Sequence, residues 1–318
     1  MLNFSLLPIS HWIFLPFCWL SFLIYIRLLY IIYSGRLREF NSSYFQIVRL
    51  HAITDITLFL YVELLARPRK YHITDILTPG DKEWIPQFCY FFQTWTKNVI
   101  FMGYTVVALN RWTVIVLESN RKVWRPVVIY SVFLIEWILP LLFLIPLFYL
   151  SGPYHFTFTE SPNQLILLRA TQEFMKLDAL QDFLLSTMCF LISSLLYFIT
   201  FGHLIRELQT SPVISSISIS NLQTEVIILK CAFVSFILFI PNFIKTTVLY
   251  FATDPEIVNV GTELWFFTTE LMCISSPWSL LISSRSLRNQ CVPERFRRRN
   301  AIKNVISVRF SRTQNLST

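Results

Sequence analysis

The sequence has little charge and little glycine, and both shortages limit what the protein can be. Charged residues make up 14% of the 318 residues and hydrophobic residues 54%. Soluble domains carry about 25% charged residues, so this composition indicates an integral membrane protein.

The motifs of the common enzyme classes are also missing. The six glycines are scattered and form neither G-x-x-x-x-G-K-[ST] nor G-x-G-x-x-G, which excludes the usual nucleotide-binding loops. The five histidines are isolated, no H-E-x-x-H or nucleophile elbow occurs, and no selectivity-filter sequence is visible. The six cysteines show no metal-ligand spacing. We therefore expect no enzyme, no metal and no other cofactor.

What the chain does contain is seven apolar runs, each long enough to cross a bilayer, which takes about 20 residues. They predict an all-α polytopic membrane protein, with a bundle of seven transmembrane helices in residues 1–284 and a basic cytoplasmic tail in 285–318. The predicted helices are 11–33, 44–66, 88–117, 127–150, 178–203, 225–251 and 261–284. No cleavable signal peptide is expected, since no Lys or Arg precedes Arg27.

Lysine and arginine are unevenly distributed between the predicted sides. The tail alone holds nine basic residues and one acid, and its charge of +8 equals the net charge of the whole chain. With the amino terminus outside, the inner loops and tail carry 15 Lys and Arg and the outer loops carry six. This bias predicts an N-out/C-in topology. A basic juxtamembrane tail also favours contact with anionic lipid, and nucleic-acid binding is not expected of a polytopic chain.

Several polar residues interrupt the apolar runs. Inserting an arginine such as Arg111 costs about 2.5–3.5 kcal/mol, so it must face the bundle interior or reach water. Lys97 lies 14 residues before Arg111 on the same stripe of the third helix, about 21 Å away. It either lines an outer cup or reaches the lipid headgroups. Asp55, four residues after His51 on one helix face, is either a structural hub or a switch residue.

Proline and mixed charge mark further candidate sites. Pro241 and Pro277 lie inside the sixth and seventh helices, where proline frees a backbone carbonyl and allows a hinge. The outer halves of the third, fifth, sixth and seventh helices predict a cup for a ligand. Its candidate walls are Trp95, Lys97, Asp182, Lys245 and Glu270. Such charges either bind a polar ligand or neutralise one another, and for most of them we expect neutralisation.

Two positions are candidates for covalent modification. Asn3 begins a glycosylation sequon on the predicted outer side. Cys291 follows the last helix beside the basic tail and is either palmitoylated or an unmodified thiol.

Three stretches together resemble the nematode serpentine chemoreceptors of the Srg superfamily, with the closest likeness to class V and class gamma. They are YTVVALNRWTVIVLESNRKVW (104–124), ILPLLFLIPLFYL (138–150) and SSPWSLLISSRSLR (275–288). The second helix, HAITDITLFLYVELLARPRKY (51–71), fits the same pattern. The resemblance implies a GPCR-like receptor in the plasma membrane, plausibly of sensory cilia. Such a receptor binds a small external chemical and signals through a heterotrimeric G protein.

The same resemblance assigns roles by position. Asn110, Arg111 and Trp112 would form the cytoplasmic coupling step, and Pro277 the hinge of the seventh helix. Asn110 replaces the acid that usually holds this arginine, so another partner is needed, for instance Glu225.

The alternative from another class is a ligand-gated ion channel or a transporter with seven helices. The insect odorant-receptor channels have the opposite topology, which the charge bias opposes. A transporter would show inverted repeats, and none is visible.

Overall fold

The fold is a bundle of long helices with one small antiparallel sheet. The computed structural model describes residues 8–34, 42–73, 84–117, 123–150, 156–160, 166–210, 216–251 and 255–291. Asn3 and most of the basic tail lie outside these residues. The predicted all-α polytopic class is confirmed.

Seven long helices follow one another along the described chain. They are α1 Ile9–Tyr33, α2 Ser43–Tyr61, α3 Trp84–Val116, α4 Pro126–Leu150, α5 Gln172–Thr210, α6 Ser216–Phe251 and α7 Pro255–Ser283. A short helix, α8 Arg285–Cys291, follows α7. Strands β1 Thr157–Glu160 and β2 Ile166–Arg169 pair antiparallel between α4 and α5. Each long helix lies on one of the seven apolar runs.

The helices differ in how apolar they are. Among the described residues, α1, α3, α4, α5 and α6 contain stretches long and apolar enough to cross a membrane. The other two, α2 and α7, carry buried polar residues such as Asp55 and Glu270. Polar residues at membrane depth are tolerated when they face the interior of a bundle. Large apolar side chains cover the outside, as Phe198 does with 78% of its side chain exposed.

The second helix is longer than predicted. After Tyr61 it continues through a π-helical segment, Val62–Ala66, and a last turn, Arg67–Lys70. Arg67, Arg69 and Lys70 are buried, although the sequence had assigned them to an outer loop. Short π-helical segments inside α-helices are frequent at functional sites.

The two ends of the bundle are distinct, and we name them the hairpin end and the Arg111 end. The hairpin end contains β1 and β2, which are held by an aromatic cluster of Tyr90, Phe156 and Phe174. The three ring centroids lie 5.1–5.4 Å apart, so the cluster fastens the sheet to α3 and α5. The Arg111 end lies at the opposite ends of the helices, where α3 terminates.

The internal prolines do not interrupt the helices. Pro241 lies within α6 and Pro277 within α7, and both helices run on past them. Pro140 and Pro146 likewise lie within the continuous α4. Arg288 of α8 donates to the carbonyl of Leu281 at 2.7 Å and so satisfies the carboxyl-terminal end of α7.

Candidate functional site

The Arg111 end is organised around a buried guanidinium group. The Arg111 side chain is 1% exposed, and its Nη1 donates to Glu225 Oε2 at 3.0 Å. Its Nε donates to Asn110 Oδ1 at 3.1 Å, and its Cζ lies 4.9 Å from the centre of the Tyr44 ring. An acid, an amide and an aromatic face therefore compensate the buried cation. Three helices, α2, α3 and α6, meet at this one group.

The partners of Arg111 are not equally fixed. Asn110 is fully buried and donates from Nδ2 to Ser43 Oγ at 3.0 Å, which joins α3 to α2. The Glu225 side chain is 37% exposed and lies at the rim of the site. Contact with water weakens the attraction between the two charges, so the link to α6 is easier to break than a fully buried ion pair. The expected contact is present, and its role in signalling stays a prediction.

The third residue of the predicted coupling step lies differently. The indole nitrogen of Trp112 is buried and finds no hydrogen-bond acceptor in the described part of the chain. Trp124, which precedes α4, donates to Thr113 Oγ1 at 2.7 Å and packs against Ile47 and Ile129. Sequence analysis missed Trp124, although a tryptophan beside a basic loop is an available signal for an anchor.

A cavity of about 40 Å³ lies between the two ends, with several polar side chains in a mainly apolar wall. A water molecule needs roughly 10–15 Å³, so about three or four waters fit. His51, Asp55 and Glu136 line this cavity together with Tyr104 and Ser276. Asp55 accepts a hydrogen bond from the Tyr25 hydroxyl at 2.8 Å, and His51 Nε2 lies 3.0 Å from Glu136 Oε2. These contacts join α1 to α2 and α2 to α4. Pro277 is buried in α7 directly after Ser276.

At the hairpin end, three of the predicted cup residues come together. Lys97 of α3 forms an ion pair with Asp182 of α5. Lys245 of α6 interacts electrostatically with both of them and donates to Asn242 Oδ1 at 2.9 Å. We name Lys97, Asp182, Asn242 and Lys245 the Lys245 cluster. Within the cluster, the charges of Lys97 and Asp182 compensate each other.

Glu270 belongs to a second group at the hairpin end. The two terminal nitrogens of Arg67 donate to Glu63 and to Glu270, all three side chains being buried. Trp19 Nε1 donates to Glu63 Oε2 at 3.1 Å, and the Cys18 thiol donates to Glu270 Oε2 at 3.4 Å. This Arg67 cluster joins α1, α2 and α7. The four-residue spacing of Glu63 and Arg67 was the sequence signal for it.

Trp95 lies away from both clusters. Its indole donates to the backbone oxygen of Trp137 at 2.9 Å, and the two rings meet edge to face against α4. Of the five predicted cup residues, the structure therefore brings Lys97, Asp182 and Lys245 together.

The cysteines are free thiols. Cys291 is half-buried at the end of α8, where burial raises the pKa of its thiol. Within the described ranges, no three His, Cys, Asp or Glu side chains are grouped closely enough to hold a metal ion.

Comparison with known proteins identifies the family. The sequence model described as "Serpentine type 7TM GPCR chemoreceptor Srv" matches residues 14–297, which include all seven long helices except the first residues of α1. Serpentine receptor class V-1 of Caenorhabditis elegans is 26% identical over 191 residues, a match that spans 58% of each protein. The chain thus matches less than two thirds of that relative's length. Both comparisons select class V from the two classes that the sequence resembles. The chain belongs to the class V (Srv) serpentine family of seven-transmembrane, GPCR-like chemoreceptors.

Proposed function

We propose that this chain is a chemosensory receptor of the plasma membrane, in sensory cilia, with an N-out/C-in topology. It binds a small external chemical at the hairpin end and signals through a heterotrimeric G protein at the Arg111 end. The observation that carries the proposal is the contact between Arg111 and the half-exposed Glu225, because it is a breakable link between α3 and α6. The relationship to the wider Srg superfamily also stays a prediction.

The charge distribution supports this orientation more strongly than the sequence alone did. Three of the six basic residues counted outside, Arg67, Arg69 and Lys70, are buried in the bundle. Without these three, the outer loops carry three Lys and Arg residues and the inner loops and tail carry 15. The positive-inside rule counts residues in loops, so the bias becomes larger. The basic tail then faces the cytoplasmic leaflet, where anionic lipid attracts it.

The sixth helix connects the two ends. It carries Lys245 near the hairpin end and Glu225 at the Arg111 end, 20 residues and about 30 Å apart along one helix. Pro241 lies between them, where the missing backbone hydrogen bond allows bending. A ligand that binds better to one position of α6 at the hairpin end shifts the population at the other end.

The test removes the ionic link without removing Arg111. In Glu225→Gln the charge of the partner is lost, so α6 separates from α3 more often and basal G-protein activation rises several-fold. Arg111→Ala lowers that activation to background, since the coupling residue is gone. Activation is measured in cells without added ligand and is normalised to the receptor at the surface.

Glu207→Gln is the matched control for Glu225→Gln. Glu207 is 38% exposed at the Arg111 end, and its contact is with His203 on its own helix, 3.7 Å away. This variant is expected to keep the wild-type basal level. Full signalling by Arg111→Ala at normal surface level would show that the coupling role is wrong.

A further inference from the structure

We propose that the Lys245 cluster binds a small organic acid that also carries a hydrogen-bond donor, such as a hydroxy acid or an amino acid. In this assignment the ligand's carboxylate pairs with Lys245, and its hydroxyl or amino group donates to Asp182. The inference rests on the proposed receptor function for one point, which is that ligand binding at this site starts the signal.

The first argument is a buried ammonium group without a carboxylate in contact. Lys245 is 6% exposed, and no carboxylate of the described residues lies within ion-pair distance of its Nζ. Asp182, the acid that interacts with it electrostatically, forms its ion pair with Lys97. A second acid, Asp178, accepts the hydroxyl of Tyr90 and also lies on the Lys97 side. Lys245 is therefore the lysine of this cluster that has no carboxylate within ion-pair distance, and a buried ammonium group is costly without one.

The second argument is a set of unused hydrogen-bonding atoms at the same place. Lys245 has three N–H donors, of which one reaches Asn242 Oδ1 at 2.9 Å. The amide nitrogen of Asn242, on the same fully buried side chain, finds no acceptor among the described residues. Two neighbouring side chains of α6 therefore have N–H donors to spare, and one of them is the ammonium group. This combination is what a carboxylate accepts from.

The third argument concerns the ligand's second group. Asp182 Oδ2 holds Lys97, while Asp182 Oδ1 is buried and finds no donor among the described residues. A simple inorganic anion would leave this oxygen unpaired and would be repelled by it. A hydroxyl or amino group on the ligand satisfies it, so the site fits an acid with a donor better than an acid alone. Water could pair the amide and the oxygen, but it would not neutralise Lys245.

The geometry of the helices connects such a ligand to the signal. The cluster spans α3, α5 and α6, and Asn242 Oδ1 also lies 3.4 Å from the Thr268 hydroxyl of α7. An acid between Lys245 and Asp182 therefore changes the distance between α6 and the other three helices. Pro241 lies one residue before Asn242, at the base of the moving segment.

Direct binding to the full-length chain in lipid nanodiscs tests the inference. The probes are lactate, 3-hydroxybutyrate and 4-hydroxybenzoate, each compared with its own amide, and butyrate and benzoate as acids that lack the hydroxyl. We expect at least one hydroxy acid to raise the unfolding temperature, its amide to have no effect, and the acid without the hydroxyl to bind more weakly. No stabilisation by any acid, or equal stabilisation by the amides, overturns the proposal.

Two variants locate the site. Lys245→Gln is expected to weaken binding of the acid by roughly tenfold or more, since a buried charge partner is lost. Lys230→Gln, on an exposed position of the same helix, is expected to bind like the wild type. Asp182→Ala, which has no acceptor, is expected to remove the preference for the hydroxy acid over the acid that lacks the hydroxyl. The Asp182 variant tests the site independently if Lys245→Gln does not fold. An unchanged preference in the Asp182 variant contradicts the assignment, and so does an unchanged affinity in Lys245→Gln.

This experiment separates the two proposals. Binding needs no G protein, so acids that bind a chain with no G-protein activation contradict the proposed coupling and leave the ligand class intact. A chain that activates a G protein but ignores every acid contradicts the ligand class alone.

Discussion

Gly103 lies where α3 passes closest to the His51–Glu136 pair. A Cβ added there would lie 2.9 Å from Glu136 Oε1 and 3.0 Å from His51 Cε1. These two side chains hold each other at 3.0 Å, so neither can move aside without breaking a buried polar contact. Because Gly103 has no side chain, α2, α3 and α4 can meet around the cavity.

We expect Gly103→Ala to lower the free energy of unfolding by about 1–3 kcal/mol, as overpacking does elsewhere. Thermal unfolding of the purified chain measures it, together with the amount of receptor at the cell surface. Gly202→Ala is the control, because a Cβ there meets nothing within 4 Å. That control is expected to stabilise α5 by up to about 1 kcal/mol. A Gly103→Ala variant as stable as the wild type would contradict the close packing.

For single residues, the sequence identifies many of the important side chains, but it identifies few of the partners that they contact. The cost of burying charge identified Asp55, Lys97 and Arg111, since each must face the bundle interior. It did not show that Asp55 contacts Tyr25, or that Glu270 contacts Arg67, because partners on different helices depend on helix rotation and depth. The contact of Arg111 with Glu225 was suggested by the absence of an acid at Asn110.

The β1–β2 hairpin is not predicted by the sequence patterns. Its attachment depends on Phe174, which is fully buried between Tyr90 and Phe156. On the far side, the guanidinium of Arg69 lies 4.7 Å from the ring centre of Phe158. A small sheet of this size is unstable alone, so these aromatic contacts hold it on the bundle.

We expect Phe174→Ala to loosen the hairpin from the bundle, because the truncation removes about 3–5 kcal/mol of buried contact. Backbone amide hydrogen exchange in residues 156–160 and 166–169 should become faster, while exchange in the centres of α3 and α5 stays slow. Phe198→Ala is the control on the same helix, since its ring is 78% exposed and faces away from the bundle. Equal exchange in both variants would mean that the cluster does not anchor the sheet.

The elements were predictable where one physical constraint dominates. A segment in hydrocarbon must satisfy its own backbone hydrogen bonds, so long apolar runs become helices. Outside the hydrocarbon that constraint does not apply. The hairpin lies in the segment 151–177, which the sequence analysis assigns to a loop. The alternation of buried Phe156 and Phe158 with exposed Thr157 was the available signal for β1. The charges of the helical turn Arg67–Lys70 indicate a loop in the sequence because partners such as Glu270 and Phe158 are distant along the chain.

In the part of the chain that the structure describes, seven long helices join two charged ends. The hairpin end gathers the Lys245 and Arg67 clusters, and the Arg111 end holds one arginine between α2, α3 and α6. The receptor account requires that these ends face opposite sides of the membrane, with the Arg111 end in the cytoplasm. Every functional proposal made for Arg111, Glu225 and Lys245 depends on this orientation.

The topology of the chain in the membrane tests that claim most directly. Small epitope tags are placed at the amino and carboxyl termini and stained on intact and then on permeabilised cells. The account predicts that the amino-terminal tag is stained on intact cells and the carboxyl-terminal tag after permeabilisation alone. The reverse pattern would place Arg111 outside the cell, which contradicts G-protein coupling and returns the channel alternative to be tested by recording currents.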